Sequence, residues 1–258
     1  MHLGLVGYGN IGRSLLDLLD AGELSRLTVL ARPGKAPDLP GEVVDTVADL
    51  IAAAPDLLVE CAGHAAVRET VLPALKAGID VVLVSIGALS DPELERDLHA
   101  AAEQGGARLI LPAGAIGGID LLAAMAPAGG LEVSYTGTKP PQAWQGTPAE
   151  DLIDLGALTT AATFFSGSAR EVARTFPKNA NVAATLALAG AGMDATRVEL
   201  VADPAATGNR HAYRVQSPLG DYEIRIDNRA SNGNAKTSAA TIYSVLREIR
   251  NRKGPVVI

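Results

Sequence analysis

The sequence has one cysteine, few aromatic residues and no long hydrophobic run, and each shortage excludes a class of protein. Cys61 alone cannot form an internal disulfide or a thiolate metal site, so we predict no metal and a reducing compartment, the cytoplasm. No stretch approaches the roughly 20 consecutive apolar residues of a transmembrane helix, so we expect no membrane span. The N-terminus lacks the basic region of a signal peptide, and we expect none.

Basic residues are also in the minority. The 258 residues contain 22 Lys and Arg against 29 Asp and Glu, a formal charge of −7, which argues against a large basic surface for nucleic acid or anionic lipid. Hydrophobic side chains make up 48% of the chain, and this is enough for one large domain or two small ones with a core. We therefore expect the partners to be small molecules.

Short aliphatic runs alternate with helical patterns over residues 1–115. The runs predict five strands buried on both faces, as in a parallel sheet: Leu3–Val6, Leu27–Leu30, Leu57–Glu60, Val81–Val84 and Leu109–Leu111. Helical spacing lies between them: Ile11–Leu19, Val43–Ala53, Ala65–Ala77 and Pro92–Glu103. This alternation predicts an α/β fold, an N-terminal Rossmann domain with a doubly wound sheet.

Residues 116–235 predict a second, smaller α+β domain with an open, mostly antiparallel sheet. Its expected strands are Leu131–Lys139, Arg197–Ala202, His211–Gln216 and Tyr222–Ile226. Pro140 and Pro141 predict a loop that contains Trp144, a capping box at Ser168 predicts one helix, and Asn179–Ala189 a second. In the segment 236–258, the stretch Ser238–Arg250 predicts an amphipathic helix that packs back on the first domain.

A complete G-x-G-x-x-G motif follows the first strand and opens a helix. In Gly7-Tyr8-Gly9-Asn10-Ile11-Gly12, the first glycine suits a tight turn, the second a close approach to pyrophosphate, and the third close helix–strand packing. We expect Asn10 and Ile11 to present the helix N-terminus to the phosphates. The alternative is that the three glycines serve turns only.

Two further loops leave the carboxyl ends of strands, where open α/β sheets bind ligands. Small residues there predict cofactor contacts by Ala62 and Gly63 after the third strand and by Ser85 and Gly87 after the fourth. Arg32 follows the second strand, at a position where an acidic residue would favour NAD. Arg32, with Lys35 near it, suits the 2′-phosphate of NADP. The alternative is a solvated loop arginine. The cofactor is therefore NAD or NADP.

Three segments of the second half carry candidate site residues. The glycine-rich stretch Pro112–Gly118 either supports the nicotinamide through its main chain near Ala115 or acts as a hinge. Lys178, Asn179 and Asn181 cluster at a predicted helix start and suggest ligand contact, with helix capping as the alternative. In a predicted loop over 231–238, the donors Lys236 and Thr237 suit a substrate carboxylate, with helix capping again as the alternative.

His211 is the best candidate for an acid/base residue. Of the four histidines, it alone lies on a strand of the predicted substrate domain. Its unperturbed pKa of about 6.5 would let it take a proton near neutral pH. The alternative is a structural histidine.

The combined motifs resemble L-aspartate dehydrogenase across nearly the whole chain. The most specific of them are Thr175–Ala184 (TFPKNANVAA) and Gly208–His211 (GNRH), with Pro112–Gly118 and the N-terminal glycine loop in support. The resemblance implies His211 as the active-site residue and Ala115 and Asn181 as NAD(P) contacts. The segment Asn232–Lys236 departs from the family's shorter Asn-Pro-Lys form.

The resemblance also implies a reaction and its setting. Enzymes of this family oxidise L-aspartate to iminosuccinate, which hydrolyses to oxaloacetate and ammonia and can feed NAD biosynthesis, and they are typically homodimers. The rival interpretations are another two-domain dehydrogenase, such as homoserine dehydrogenase or dihydrodipicolinate reductase, and a non-catalytic NAD(P)-sensing regulator. A regulator would need the glycine loop and not His211.

Overall fold

The computed structural model describes residues 1–20, 22–32, 39, 41–231 and 234–257, and of residues 230, 231 and 234–237 the backbone alone. It divides into two compact units. The first consists of Met1–Pro112 together with Ile242–Ile258, and the second of Ala113–Thr241.

The first unit contains a six-stranded parallel sheet. In chain order its strands are β1 (His2–Val6), β2 (Arg26–Leu30), β3 (Glu42–Val44), β4 (Leu57–Glu60), β5 (Val81–Leu83) and β6 (Leu109–Ile110). In space the order is β3-β2-β1-β4-β5-β6, with every pair parallel. The chain reverses direction across the sheet at β1, which is the doubly wound order of a Rossmann domain, so the predicted fold class is confirmed.

Helices connect these strands. They are α1 (Asn10–Leu18), α2 (Val47–Ala52), α3 (His64–Lys76) and α4 (Pro92–Gly105), with a 3-10 turn at Ile86–Ser90. Asp91 caps α4 by accepting from the amides of Glu93 and Leu94. The expected helix Val43–Ala53 is wrong at its start, because Glu42–Val44 pairs with β2 as the edge strand and the helix begins only after the cap at Thr46.

The core of the first unit includes one face of the C-terminal helix, Ala239–Asn251. Its side chains Ile242, Val245, Leu246 and Ile249 belong to the same buried cluster as Leu3 and Leu5 of β1. The three- and four-residue spacing of these apolar side chains gives the helix a single hydrophobic stripe, and burying that stripe fixes the helix on the sheet of this unit.

The second unit is built on a five-stranded sheet. Its strands are β7 (Glu132–Lys139), β8 (Ala162–Ser168), β9 (Arg197–Ala202), β10 (Asn209–Gln216) and β11 (Tyr222–Asn228). Their order is β11-β10-β7-β9-β8, and only β7 and β9 pair in parallel. This is the mostly antiparallel sheet that the sequence predicts, with β8 as an additional strand.

Short helices accompany this sheet. They are α5 (Ile119–Met125), α6 (Pro141–Trp144), α7 (Ala149–Leu152), α8 (Ala169–Thr175) and α9 (Asn181–Ala189), with 3-10 turns at Ala126–Ala128 and Pro177–Asn179. The capping box at Ser168 is confirmed, since its side chain accepts from the amide of Glu171 and the Glu171 carboxylate accepts from the amide of Ser168. The expected loop around Trp144 is wrong, because Pro141 starts a single helical turn there.

The predicted loop over 231–238 is also wrong. A short hairpin stands there, formed by β12 (Ala230–Ser231) and β13 (Asn234–Ser238), and α10 (Ala239–Asn251) follows directly. Lys236 and Thr237 therefore belong to a strand and not to a helix N-terminus, consistent with the strand preference of a β-branched threonine. Within the described ranges no helix has both the length and the apolar character needed to cross a membrane.

Candidate active site

The glycine loop of the first unit leaves space beside the start of α1. Gly7 has φ +92°, and a Cβ there would lie 2.9 Å from Cα of Ala62; a Cβ on Gly12 would lie 2.7 Å from the carbonyl oxygen of Gly7. A Cβ on Gly9 would meet nothing within 4 Å, and α1 has no side-chain cap at its N-terminus. Two glycines are thus needed by the fold, and the third opens a cradle that fits the pyrophosphate of a dinucleotide.

Asn10 and Ile11 are the first two residues of α1, so both lie at this cradle. Arg32 is exposed two residues beyond the end of β2, as the NADP hypothesis requires. Lys35, its proposed helper, lies outside the described residues.

A buried carboxylate that the sequence analysis missed organises the two neighbouring loops. Glu60, at the end of β4, is fully buried, and it accepts from the amides of Ala62 (2.8 Å) and Gly63 (2.9 Å) and from the amide and hydroxyl of Ser85 (3.0 Å each). Burial raises the pKa of Glu60, while these four hydrogen bonds oppose the shift by stabilising the carboxylate. Glu60 therefore ties together the loops that follow β4 and β5.

Three of the four predicted cofactor residues of these loops, Ala62, Gly63 and Ser85, donate to that carboxylate. The hydroxyl of Ser85 donates to Glu60, so the side chain of Ser85 stabilises the loop that follows β5. Gly87 is buried in the following 3-10 turn, and Gly63, with φ +113°, precedes α3. Contact of these residues with a cofactor stays a prediction.

In the second unit, His211 lies on β10 opposite Gly137 of β7 and is buried. Its Nδ1 is 2.7 Å from the hydroxyl of Tyr135, and the two rings lie 5.9 Å apart with planes 17° from parallel. Burial and the positive charge of Lys139 lower the pKa of His211 to about 3. The expectation of a base that titrates near neutrality is therefore wrong for the protein alone, in which His211 is a neutral imidazole.

Lys139, at the end of β7, is the second residue that the sequence analysis missed. It is only 6% exposed, its Nζ donates to Oδ1 of Asn179 at 2.6 Å, and Nζ also lies 5.0 Å from the centre of the Trp144 ring. Asn179 lies in the 3-10 turn Pro177–Asn179, and its side chain accepts from Lys139, whereas no side chain of the described residues caps α9. Lys178, by contrast, is exposed.

Asn181 and Ala115 are the residues that the resemblance implies as NAD(P) contacts. Asn181 begins α9, and its carbonyl accepts from the hydroxyl of Thr185. The carbonyl of Ala115 accepts from Nδ2 of Asn228 at 2.8 Å, and that of Gly117 accepts from the hydroxyl of Tyr213 at 2.9 Å. The glycine-rich stretch is thus fastened to the second sheet near Ala115.

The remaining candidates are the two residues of the C-terminal hairpin, Lys236 and Thr237. The side chains of Lys236 and Thr237 lie outside the described residues. No group of three or more His, Cys, Asp or Glu side chains in the described part of the chain is placed to hold a metal ion.

Comparisons with known proteins show what the whole chain is similar to. The family model described as aspartate dehydrogenase, C-terminal, matches residues 120–252, and the model for the NAD binding domain of homoserine dehydrogenase matches residues 7–112. Two proteins named L-aspartate dehydrogenase are similar over their full lengths and all of this chain, one from Cupriavidus necator at 47% identity and one from Pseudomonas aeruginosa at 45%.

Solved structures extend the comparison. The crystal structure of aspartate dehydrogenase from Thermotoga maritima has a TM-score of 0.81 at 30% identity and covers 100% of this chain and 99% of its own. A dihydrodipicolinate reductase from Paenisporosarcina has a TM-score of 0.57 at 14% identity, which indicates a shared fold alone.

Proposed function

The chain belongs to the L-aspartate dehydrogenase family, and on that premise we propose that it oxidises L-aspartate at Cα with NAD or NADP. The products are iminosuccinate, then oxaloacetate and ammonia after hydrolysis, and the reverse reaction uses the same site. The observation that carries the proposal is a buried lysine, Lys139, on the same sheet as the buried His211 and close enough for its positive charge to lower the pKa of that histidine. A cation held at this position suits a dicarboxylate substrate.

Lys139 is our principal candidate for binding a substrate carboxylate. Its hydrogen bond to Asn179 and its place over Trp144 fix the direction of the ammonium group, so little side-chain freedom remains to be lost on binding. Lys178, Lys236 and Thr237 remain candidates for the second carboxylate.

His211 is the proposed catalytic residue, and Asn181 the proposed contact for the nicotinamide end of the cofactor. The neutral state of His211 suits an imidazole that binds the substrate through a hydrogen bond. The positive charge of Lys139 is one of the two causes of the lowered pKa of His211. A dianionic substrate beside His211 would offset that charge and so raise the pKa of His211. The amine must be neutral when the hydride leaves, so alkaline pH should favour the oxidation.

The first unit is the proposed cofactor domain and the second the proposed substrate domain. The cradle at Gly9, with Gly7, Asn10, Ile11 and Gly12 around it, fits the pyrophosphate. The bound nicotinamide ring supplies the hydride acceptor for the oxidation. Arg32 supports the use of NADP, since a guanidinium pairs with a phosphate in bidentate geometry.

We also propose a cytoplasmic homodimer whose product feeds NAD biosynthesis. The single cysteine supports a reducing compartment. The dimer and the pathway rest on the family resemblance.

The experiment is to follow reduced nicotinamide with L-aspartate, D-aspartate, homoserine and a panel of L-amino acids, each with NAD and with NADP. Turnover confined to L-aspartate supports the proposal. Turnover of homoserine in its place, or no turnover with cofactor binding intact, would contradict it.

A further inference from the structure

The contact between Tyr135 and His211 depends on the strand register. Tyr135 and Gly137 lie two residues apart on β7 and so point to the same face, and Gly137 is the residue directly opposite His211 on β10. The phenol therefore reaches across the position of residue 137 to arrive at Nδ1 of His211.

Gly137 is the residue that permits this reach. A Cβ at position 137 would lie 2.7 Å from the hydroxyl oxygen of Tyr135 and 3.2 Å from its Cζ atom. Any side chain there would displace the phenol from the imidazole. The missing side chain of Gly137 thus leaves a gap on this face of the sheet, the slot, and the phenol of Tyr135 occupies it.

Only one placement of the protons in this contact gives every buried donor an acceptor. The hydroxyl of Tyr135 has a single proton and, in the described part of the chain, a single hydrogen-bond partner, Nδ1 of His211. Were Nδ1 protonated, it would donate to the phenol oxygen and leave the phenol proton buried with no acceptor, an arrangement that folded proteins rarely contain. Burial also raises the pKa of Tyr135, so the phenol keeps its proton.

We propose that Tyr135 donates its hydroxyl proton to Nδ1 of His211 and so holds the imidazole as the Nε2–H tautomer. His211 then presents an N–H donor, and not a basic lone pair, at the atom that has no partner among the described residues. Together with the ammonium of Lys139, this donor suits a carboxylate oxygen of the substrate. Tyr135 is in this account a positioning residue that acts through His211, and this consequence for catalysis rests on the proposed function.

The tautomer can be measured without cofactor or substrate. In protein labelled with ¹⁵N-histidine, a long-range ¹H–¹⁵N spectrum at neutral pH separates the Nε2–H and Nδ1–H forms, and His211→Asn identifies the signals of His211. We expect the Nε2–H form in the wild type and a mixture of both forms in Tyr135→Phe. An Nδ1–H form in the wild type, or the same tautomer in Tyr135→Phe as in the wild type, would overturn the proposal.

Two further variants show whether a changed tautomer comes from the loss of this one contact. Gly137→Ala fills the slot while keeping the phenol, and it should give the same mixture as Tyr135→Phe if Tyr135 acts through this contact. Tyr213→Phe is the matched control, since it removes another buried phenol of the same sheet whose hydroxyl donates to Gly117, and it should leave the tautomer of His211 unchanged. A change of tautomer in Tyr213→Phe would show that general loosening of the sheet sets the tautomer, and would contradict the proposal.

Kinetics then test the catalytic consequence separately. Tyr135→Phe should lower kcat/KM for L-aspartate by about tenfold, the equivalent of one hydrogen bond, with cofactor affinity unchanged. Wild-type kcat/KM in this variant would contradict the positioning role. If the wild type does not turn over L-aspartate, the proposed function fails while the tautomer measurement keeps its meaning.

Discussion

The amide and the hydroxyl of Ser85 both donate to the buried carboxylate of Glu60, at 3.0 Å each. The other two partners of this carboxylate, the amides of Ala62 and Gly63, are donors as well. A group surrounded only by donors must be an acceptor at both oxygens, so the ionised glutamate is the form that these two loops require.

Glu60→Gln should therefore weaken cofactor binding and lower stability. The amide NH₂ of glutamine would face N–H and O–H donors, and a buried mismatch of this kind costs about 2 kcal/mol in the free energy of unfolding. We expect the Kd for NADH, measured by fluorescence titration, to rise by about tenfold or more. Glu42→Gln is the control, because Glu42 is an exposed carboxylate on β3; an equal effect in both variants would refute the bracing role of Glu60.

Alanine at Gly9 and alanine at Gly12 should separate cofactor binding from folding. The Cβ of Gly9→Ala would enter open space, so we expect the free energy of unfolding to stay within about 0.5 kcal/mol of wild type while NADH affinity falls. The Cβ of Gly12→Ala would lie 2.7 Å from the carbonyl oxygen of Gly7, so this variant should lose about 1–3 kcal/mol of stability. Denaturant unfolding and NADH titration of both variants check this, and a stable, tightly binding Gly9→Ala would contradict the cradle.

Lys139→Met should raise the KM for L-aspartate and leave the Kd for NADH unchanged. Methionine keeps the length of the side chain and removes the charge, and losing a hydrogen bond to a charged group raises KM by roughly tenfold to a hundredfold. Lys76→Met, at the exposed end of α3, is the matched control. If Lys178→Met raised KM more than Lys139→Met, the exposed lysine and not the buried one would bind the carboxylate.

The buried, neutral state of His211 should make stability depend on pH. Its pKa is lowered to about 3 in the folded chain, against about 6.5 when unfolded, so the unfolded chain binds more protons between these values and stability falls as the pH falls through that window. From pH 7 to pH 5 the contribution is about 2 kcal/mol. Urea unfolding should show a larger loss in the wild type than in His211→Asn, in which the lowered pKa of His2 still contributes, whereas parallel pH curves would contradict a buried neutral imidazole.

Much of the fold could be predicted because its elements have strong local patterns. Leu57–Glu60 and Arg197–Ala202 match the observed strands residue for residue. Glu42–Val44 was missed because a three-residue strand is too short to show a period, and its valines fit the helical pattern that follows. Tyr222–Asn228 extends two residues past the predicted strand, since pairing with β10 and not local sequence decides where it ends.

The glycine loop was predictable from spacing, but the residues around His211 were not. Tyr135 lies 76 residues from His211 in the chain, and only the register of β7 against β10 brings the two together. A partial signal existed, because Val133, Tyr135, Gly137 and Lys139 alternate along one strand and therefore share one face. Extending that alternation to its end would have identified Lys139 as a buried cation. Glu60 gave a similar signal as an acid at the end of an otherwise aliphatic strand.

The most direct test of the account compares wild type and His211→Asn in the oxidation of L-aspartate, with NADH binding measured on the same samples. The account predicts turnover in the wild type and a loss of about a hundredfold or more in kcat in the variant, the usual effect of removing one catalytic donor, at unchanged NADH affinity. Turnover near the wild-type rate in His211→Asn would remove His211 from the site and contradict the account.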